Sequence, residues 1–167
     1  MNTSRKSRQT QFEKLFKKNQ HKFARIARSY AGARYQQDLL QEIWHQIWRS
    51  MDNFKYGSNI DTWAYRVALN TAISFVRKDQ KHNQVIGSEV SADLNKNEAS
   101  QSGSMSEAMF LVIKFLSILT DLDKAAFLMY LDGFDHQQIS ETLAISANNV
   151  AVKINRMKAK FEQLYLE

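Results

Sequence analysis

The stretch from Gln37 to Lys78, QDLLQEIWHQIWRSMDNFKYGSNIDTWAYRVALNTAISFVRK, decides the fold. In its first part Leu40, Ile43, Trp44, Ile47 and Met51 recur at three- and four-residue spacing, which at about 100° per residue puts them on one side of a helix. Asp38, Gln41, Glu42, His45 and Arg49 fall on the other side. Asp38 and Glu42 are like charges four apart, an arrangement that weakens an isolated helix, so this face reads as one with an outside partner. A loop, Asn53 to Asn59, follows, and its Phe54 and Tyr56 read as exposed contact residues. In the second part Ser58 with Asp61 is expected to cap a helix whose buried side is Ile60, Ala64, Val67, Ala68, Thr71 and Phe75. Arg66, Asn70 and Arg77 share a separate polar stripe, with Trp63 at its margin between core and contact surface.

Upstream, Phe12, Leu15, Phe16, Phe23, Ile26, Ala27 and Tyr30 keep helical spacing, and Gly32 is the expected stop. This gives a three-helix unit over residues 1–78. Residues 1–35 carry Arg5, Lys6, Arg8, Lys14, Lys17, Lys18, Lys22, Arg25, Arg28 and Arg34 against Glu13 alone. That imbalance favours a polyanionic partner, nucleic acid first, although from charge alone a solvated helix face remains open.

Downstream, Asp79 to Met105 loses apolar periodicity and is rich in Asn, Gln, Ser, Lys and Glu, so residues 79–105 read as a flexible linker. Helical patterning resumes over 106–167. Ser106 caps a helix with Phe110, Ile113, Phe115, Leu116 and Leu119; Thr120 or Asp121 caps the next, which Gly133 ends. Asp135 caps a short helix holding Ile139 and Leu143, Ala144-Ile145 makes a tight turn, and Ser146 caps a last helix with Val150, Ile154, Met157, Phe161 and Leu164 inward. Asn148, Val152, Asn155 and Arg156 face outward. A short helix, tight turn and capped helix with polar and basic outer residues form a helix-turn-helix pattern. Lys153, Arg156, Lys158 and Lys160 can neutralise phosphates while Asn148, Asn149 or Asn155 reach base edges. No segment alternates as a strand does, so the fold class is all-α: two small helical domains joined by a linker.

At 167 residues with a net charge of +6, the chain can fill helical cores of this size. It has no cysteine, which excludes disulfides, thiolate metal sites and cysteine nucleophiles. No apolar run is long enough to span a membrane, and we expect a cytoplasmic protein without membrane insertion. His21, His45, His82 and His136 show no metal-ligand spacing, and the carboxylates are scattered, so no metal, cofactor or catalytic group is expected.

At these residues the sequence resembles the extracytoplasmic-function sigma factors of the sigma-70 family. The resemblance rests on Asp38-Leu39-Leu40-Gln41-Glu42-Ile43-Trp44, on Trp63 with Arg66 and Asn70, and on Arg77-Lys78. In the second half it rests on Leu119-Thr120-Asp121-Leu122-Asp123-Lys124, Tyr130 to Gly133, Ile139-Ser140 and Ile145-Ser146 followed by Asn149, Val150, Lys153, Ile154 and Arg156. It implies a subunit that directs RNA polymerase to promoters, with core polymerase and promoter DNA as partners and an anti-sigma factor as a further one. By the resemblance, the face of Asp38, Gln41, Glu42, His45 and Arg49 docks on the polymerase. Phe54, Tyr56, Trp63, Arg66, Asn70 and Arg77 would meet the minus-ten element, and Asn148, Asn149, Ala151, Val152, Lys153, Asn155, Arg156 and Lys158 the minus-thirty-five element. The alternative is a stand-alone helix-turn-helix regulator using only residues 106–167. The chain departs from the family at Ala144, where glycine is usual and where Ala fits only if the turn needs no positive φ. It departs also at Ser140, where Ala is usual and little consequence is expected, and at Ala151 and Val152, which can touch thymine methyls but cannot hydrogen-bond to bases.

Overall fold

The structure, a computed structural model, describes residues 2–57, 59–86 and 106–167. The chain separates into two compact units, residues 1–88 and 89–167, and the described residues hold helices and turns with no strand.

Unit 1 is built from α1, Asn2–Ser50, a 3-10 turn, Met51–Asn53, and α2, Ile60–Ile86. Gly32 breaks α1 into two arms with φ 70° and ψ −178°, a conformation open essentially to glycine, so the expected stop is a break between helices. The core is Leu15, Phe23, Ile26 and Ala27 from the first arm, Leu39, Ile43 and Ile47 from the second, and Ala64, Tyr65, Ala68, Leu69 and Ala72 from α2. Trp44 gathers the aromatic side chains, its ring 5.8 Å from Phe12, 4.7 Å from Phe16 and 4.9 Å from Phe23, while Tyr65 lies 6.1 Å from Phe23.

Two helix faces are rotated from the sequence reading. Leu39 is fully buried and Leu40 only half-buried. On α2, Tyr65, Leu69 and Ala72 join Ala64 and Ala68 in the core, whereas Val67, Thr71 and Phe75 are half-buried. The cap also moves: Asn59 accepts from the Asp61 amide at 2.8 Å through its side chain and from the Trp63 amide at 3.0 Å through its carbonyl. Ser58 lies outside the described residues. Asp61 instead ties α2 to α1, receiving Lys18 Nζ at 2.5 Å and Asn19 Nδ2 at 2.9 Å. Asn19 is buried, and its amide also donates to the Leu15 carbonyl at 3.0 Å, so both donors of this interior amide are used.

α2 continues as helix to Ile86, past the Lys78 boundary expected from sequence, because its last turns are polar yet contain neither glycine nor proline. The rest of the expected linker, 87–105, lies outside the described residues.

Unit 2 comprises α3 (Glu107–Ser117), α4 (Asp121–Leu131), α5 (His136–Leu143) and α6 (Ala147–Tyr165). All four helices start on a side-chain cap: Ser106, Thr120, Asp135 and Ser146 accept from the amides of Met109, Asp123, Gln138 and Asn149. Asp135 and Gln138 make a full capping box. α4 is the central helix, with Ala125 to Met129 buried. Its Lys124 is also buried, which pushes the ammonium pKa down, against a smaller upward pull from the Asp121 charge. Gly133 ends α4 at φ 86°. Phe115 packs on Phe127 at 5.2 Å and Phe161 at 5.3 Å. Leu164, expected inside, is 49% exposed; Tyr165 takes the inner place, 5.1 Å from Phe161 and 6.4 Å from Phe115.

Candidate nucleic-acid and polymerase interfaces

Once Leu39, Ile43 and Ile47 are buried, the second arm of α1 presents Asp38, Gln41, His45 and Arg49 to solvent. Glu42 sits half-buried among them and accepts from Gln46 Nε2 at 2.8 Å, with His45 Nδ1 4.0 Å away. The expected docking face is therefore open, polar and carried on a helix.

The loop after this arm holds an aromatic group. Phe54 lies 5.5 Å from Tyr56 and 5.4 Å from Trp63 at the start of α2. Tyr56 is 84% exposed, while Phe54 and Trp63 are half-buried, so the rings present a surface on which a base can stack. Farther along α2, Arg66, Asn70 and Arg77 are exposed, and none of their side chains is hydrogen-bonded or ion-paired to another described residue. The amide of Asn70 is thus left with donors and acceptor directed outward, as reading a base edge requires.

In unit 2 the α5–α6 turn decides where the last helix points. Ala144 adopts φ 54° and ψ 42°, so the turn does require the left-handed region and Ala occupies it at a cost of about 1–2 kcal/mol. Ser140 is what the sequence reading undervalued. Its hydroxyl donates to the Ile145 carbonyl at 2.6 Å, while its own carbonyl accepts from the amides of Ala144 and Ile145. Three hydrogen bonds at Ser140 hold the strained residue in place. The available signal was a hydroxyl on the helix preceding a turn that lacks glycine.

From that turn α6 projects Asn148, Asn149, Asn155, Arg156 and Lys158 as exposed residues, with Val152 39% exposed and Ala151 half-buried. Lys153 departs from the set: its Nζ lies 2.7 Å from Asp123 Oδ1 of α4, and both side chains are about a quarter exposed. The pair fastens α6 to α4, so Lys153 reaches a phosphate only by leaving Asp123. Lys158 Nζ sits 5.8 Å from the Tyr130 ring, with its charge still exposed. Among the described residues no three His, Cys, Asp or Glu side chains are grouped to hold a metal ion, and no helix is long and apolar enough to cross a membrane.

Comparison with known proteins gives concordant matches in both units. Residues 15–82 match the sigma-70 region 2 family model, and residues 110–161 the sigma-70 region 4 model. The chain is 26% identical over 165 residues to the ECF RNA polymerase sigma-E factor of Escherichia coli strain K12, covering 92% of this chain and 85% of that protein. It is 26% identical over 164 residues to the sigma-E factor of Haemophilus influenzae, covering 90% and 85%. Among solved structures, the sigma factor RpoE in complex with the anti-sigma factor NepR from Bartonella quintana matches with a TM-score of 0.71 at 20% identity, over 92% of this chain and 96% of that one. CnrH in complex with the cytosolic domain of CnrY matches with a TM-score of 0.63 at 18% identity, over 93% and 88%.

Proposed function

The chain belongs to the sigma-70 family as an RNA polymerase sigma factor of the extracytoplasmic-function type, and from that premise we propose how its surfaces divide the work of starting transcription. A sigma factor binds core polymerase and promoter DNA and lends the polymerase its choice of start site. In this chain the second arm of α1 docks on the polymerase through Asp38, Gln41, Glu42, His45 and Arg49. Phe54, Tyr56 and Trp63 stack on unpaired minus-ten bases, Arg66 and Arg77 hold phosphates, and Asn70 selects a base edge. α6 reads the minus-thirty-five duplex in the major groove, with Asn148, Asn149, Asn155 and Arg156 at base edges or phosphates, Lys158 at the backbone, and Ala151 and Val152 against thymine methyls. Lys153 serves first as the brace to Asp123.

The observation that carries this division is the open aromatic group at the start of α2, beside a stripe whose Arg66, Asn70 and Arg77 side chains pair with no other described residue. A fold that needed these groups only for packing would bury or pair them. The stand-alone regulator would use residues 106–167 and leave both this surface and the region 2 match without a role. Family membership points to a regulator with no reaction of its own, acting in the cytoplasm beside the polymerase. Two of the similar structures hold partners, one of them an anti-sigma factor, and a protein of that kind is a fitting regulator here too.

One crossed experiment tests the division. Asp38→Arg, Asn70→Ala and Arg156→Ala, each on the full chain, are measured against core polymerase, single-stranded minus-ten oligonucleotides and minus-thirty-five duplex. Each variant should lose one ligand only, in that order, and Arg156→Ala should cost about 1–3 kcal/mol if it reads a guanine. Asp38→Arg binding polymerase as well as the parent would remove the docking face; retained base preference in Asn70→Ala would remove the stripe.

A further inference from the structure

The basic imbalance of the first 35 residues has no part in the division above, and the first arm of α1 shows how its charges are sorted. Cations on the flanks of this arm are paired inside the unit. Lys18 binds Asp61 at 2.5 Å, and Arg8 binds Asp52 at 2.8 Å and the Trp48 carbonyl while stacking over the Trp48 ring at 4.3 Å. On the side opposite Leu15, Asn19, Phe23 and Ile26 the pattern reverses. Lys6, Thr10, Lys14, Lys17 and His21 follow one another at intervals of three or four residues, with Arg28 seven further on, so they form a single line along the helix. Lys6, Lys14, Lys17 and His21 are exposed, and none of these four pairs with another described residue beyond its own helical backbone. The nearby Glu13 is engaged by Gln9 at 3.1 Å.

We infer that this line is a third nucleic-acid surface, which holds the phosphate backbone of promoter DNA flanking the unpaired minus-ten segment. From Lys6 to His21 it runs roughly 23 Å at 1.5 Å per residue, with a cationic or polar residue about every 6 Å. It contains no large apolar or aromatic side chain, whereas a protein-binding surface is anchored by such residues. A long row of cations without an anchor suits a linear polyanion, whose counterions it would displace. Position agrees with charge. Lys18, on the flank between the line and the buried side, binds Asp61 in the first turn of α2, two residues from Trp63, so DNA leaving the aromatic group passes the flank of the line.

This inference rests on the assignment of the aromatic group to unpaired DNA, and the test keeps the two apart. Holoenzyme assembled with the full chain carrying Lys6→Gln, Lys14→Gln and Lys17→Gln is titrated, over a range of salt, on a probe trimmed to the unpaired segment and on one extended into flanking DNA. On the extended probe the variant should show a slope of log affinity against log salt shallower by roughly 2 to 3 than the parent, one phosphate contact per lysine. On the trimmed probe it should match the parent, and a Lys→Arg triple variant should restore the steep slope. An unchanged slope on the extended probe would overturn the inference, as would weakened association with core polymerase, which would make the line a protein contact. A parent that shows no preference for unpaired over paired minus-ten DNA would overturn the underlying assignment and this inference with it.

Discussion

The two units reach a helical fold by different means. Unit 2 is made of short helices, each begun by a side chain that accepts its first free amides and separated by turns with defined backbone angles. Unit 1 is made of longer helices, the two arms of α1 and the 27-residue α2, held by an aromatic cluster around Trp44 and by Asp61 bridging α1 and α2. Local hydrogen bonds specify where the elements of unit 2 start and stop. Contacts between residues distant in sequence specify how the helices of unit 1 face one another. A short helix cannot support itself on propensity, so capping weighs more in unit 2.

The sharpest way to break this comparison is through the unit 1 core. Phe23 is fully buried against Trp44 and Tyr65, and Phe23→Ala should destabilise the unit by about 3–5 kcal/mol, read by denaturant titration. A loss below 1 kcal/mol would mean that the aromatic cluster is not what holds the long helices.

A smaller and more specific effect is expected at the α5–α6 turn. Ala144→Gly relieves the left-handed strain and should stabilise unit 2 by about 1 kcal/mol, less the entropy glycine adds to the unfolded chain. Ser140→Ala removes the bond to the Ile145 carbonyl and should cost about 1 kcal/mol. Combined, the two should be non-additive, because Ser140 matters most when residue 144 is strained. Simple additivity in a double-mutant cycle of melting curves would show that the hydroxyl and the strained residue act separately.

The smallest effect is electrostatic and appears only in acid. Burial alone would raise the Asp61 pKa, but hydrogen bonds from Lys18 and Asn19 and the charges of Lys18 and Lys22 outweigh it and hold the carboxyl below its usual value. A carboxylate with a depressed folded-state pKa contributes stability above its unfolded value, about 3.9, and loses it as pH falls through the folded one. Asp61→Asn should therefore flatten the loss of stability below about pH 4. An acid limb of unchanged slope would show that the bridge to α1 does not depend on this charge.

The difference between the units also governs what could be read from the chain. The four caps, the Gly133 stop and the helix-turn-helix were legible because each is written within a few residues. The inward faces of unit 1 were not. Leu39 and Leu40 are adjacent and chemically identical, so periodicity alone admits either, and only the partner helix chooses Leu39. On α2 the buried side is largely alanine, Ala64, Ala68 and Ala72 beside Leu69, which offers little hydrophobic contrast, and Tyr65 is hidden despite its hydroxyl. Of the candidate site residues, the exposure of those on outward helix faces was legible from spacing. The engagement of Lys153 by Asp123, thirty positions away, was not, since no local rule links α6 to α4. Ser140 was passed over because a Ser-for-Ala exchange looks neutral until the backbone of Ala144 is known.

The break at Gly32 carries a consequence of handedness. A Cβ added there would meet nothing within 4 Å, so room is not what confines the position to glycine. Its angles, φ 70° and ψ −178°, are the reflection of ordinary extended backbone, forbidden to an L-residue and comfortable for its enantiomer. In a chain assembled by chemical ligation, D-alanine at position 32 would fit where L-alanine strains. The junction between the two arms of α1 thus discriminates by chirality and not by size.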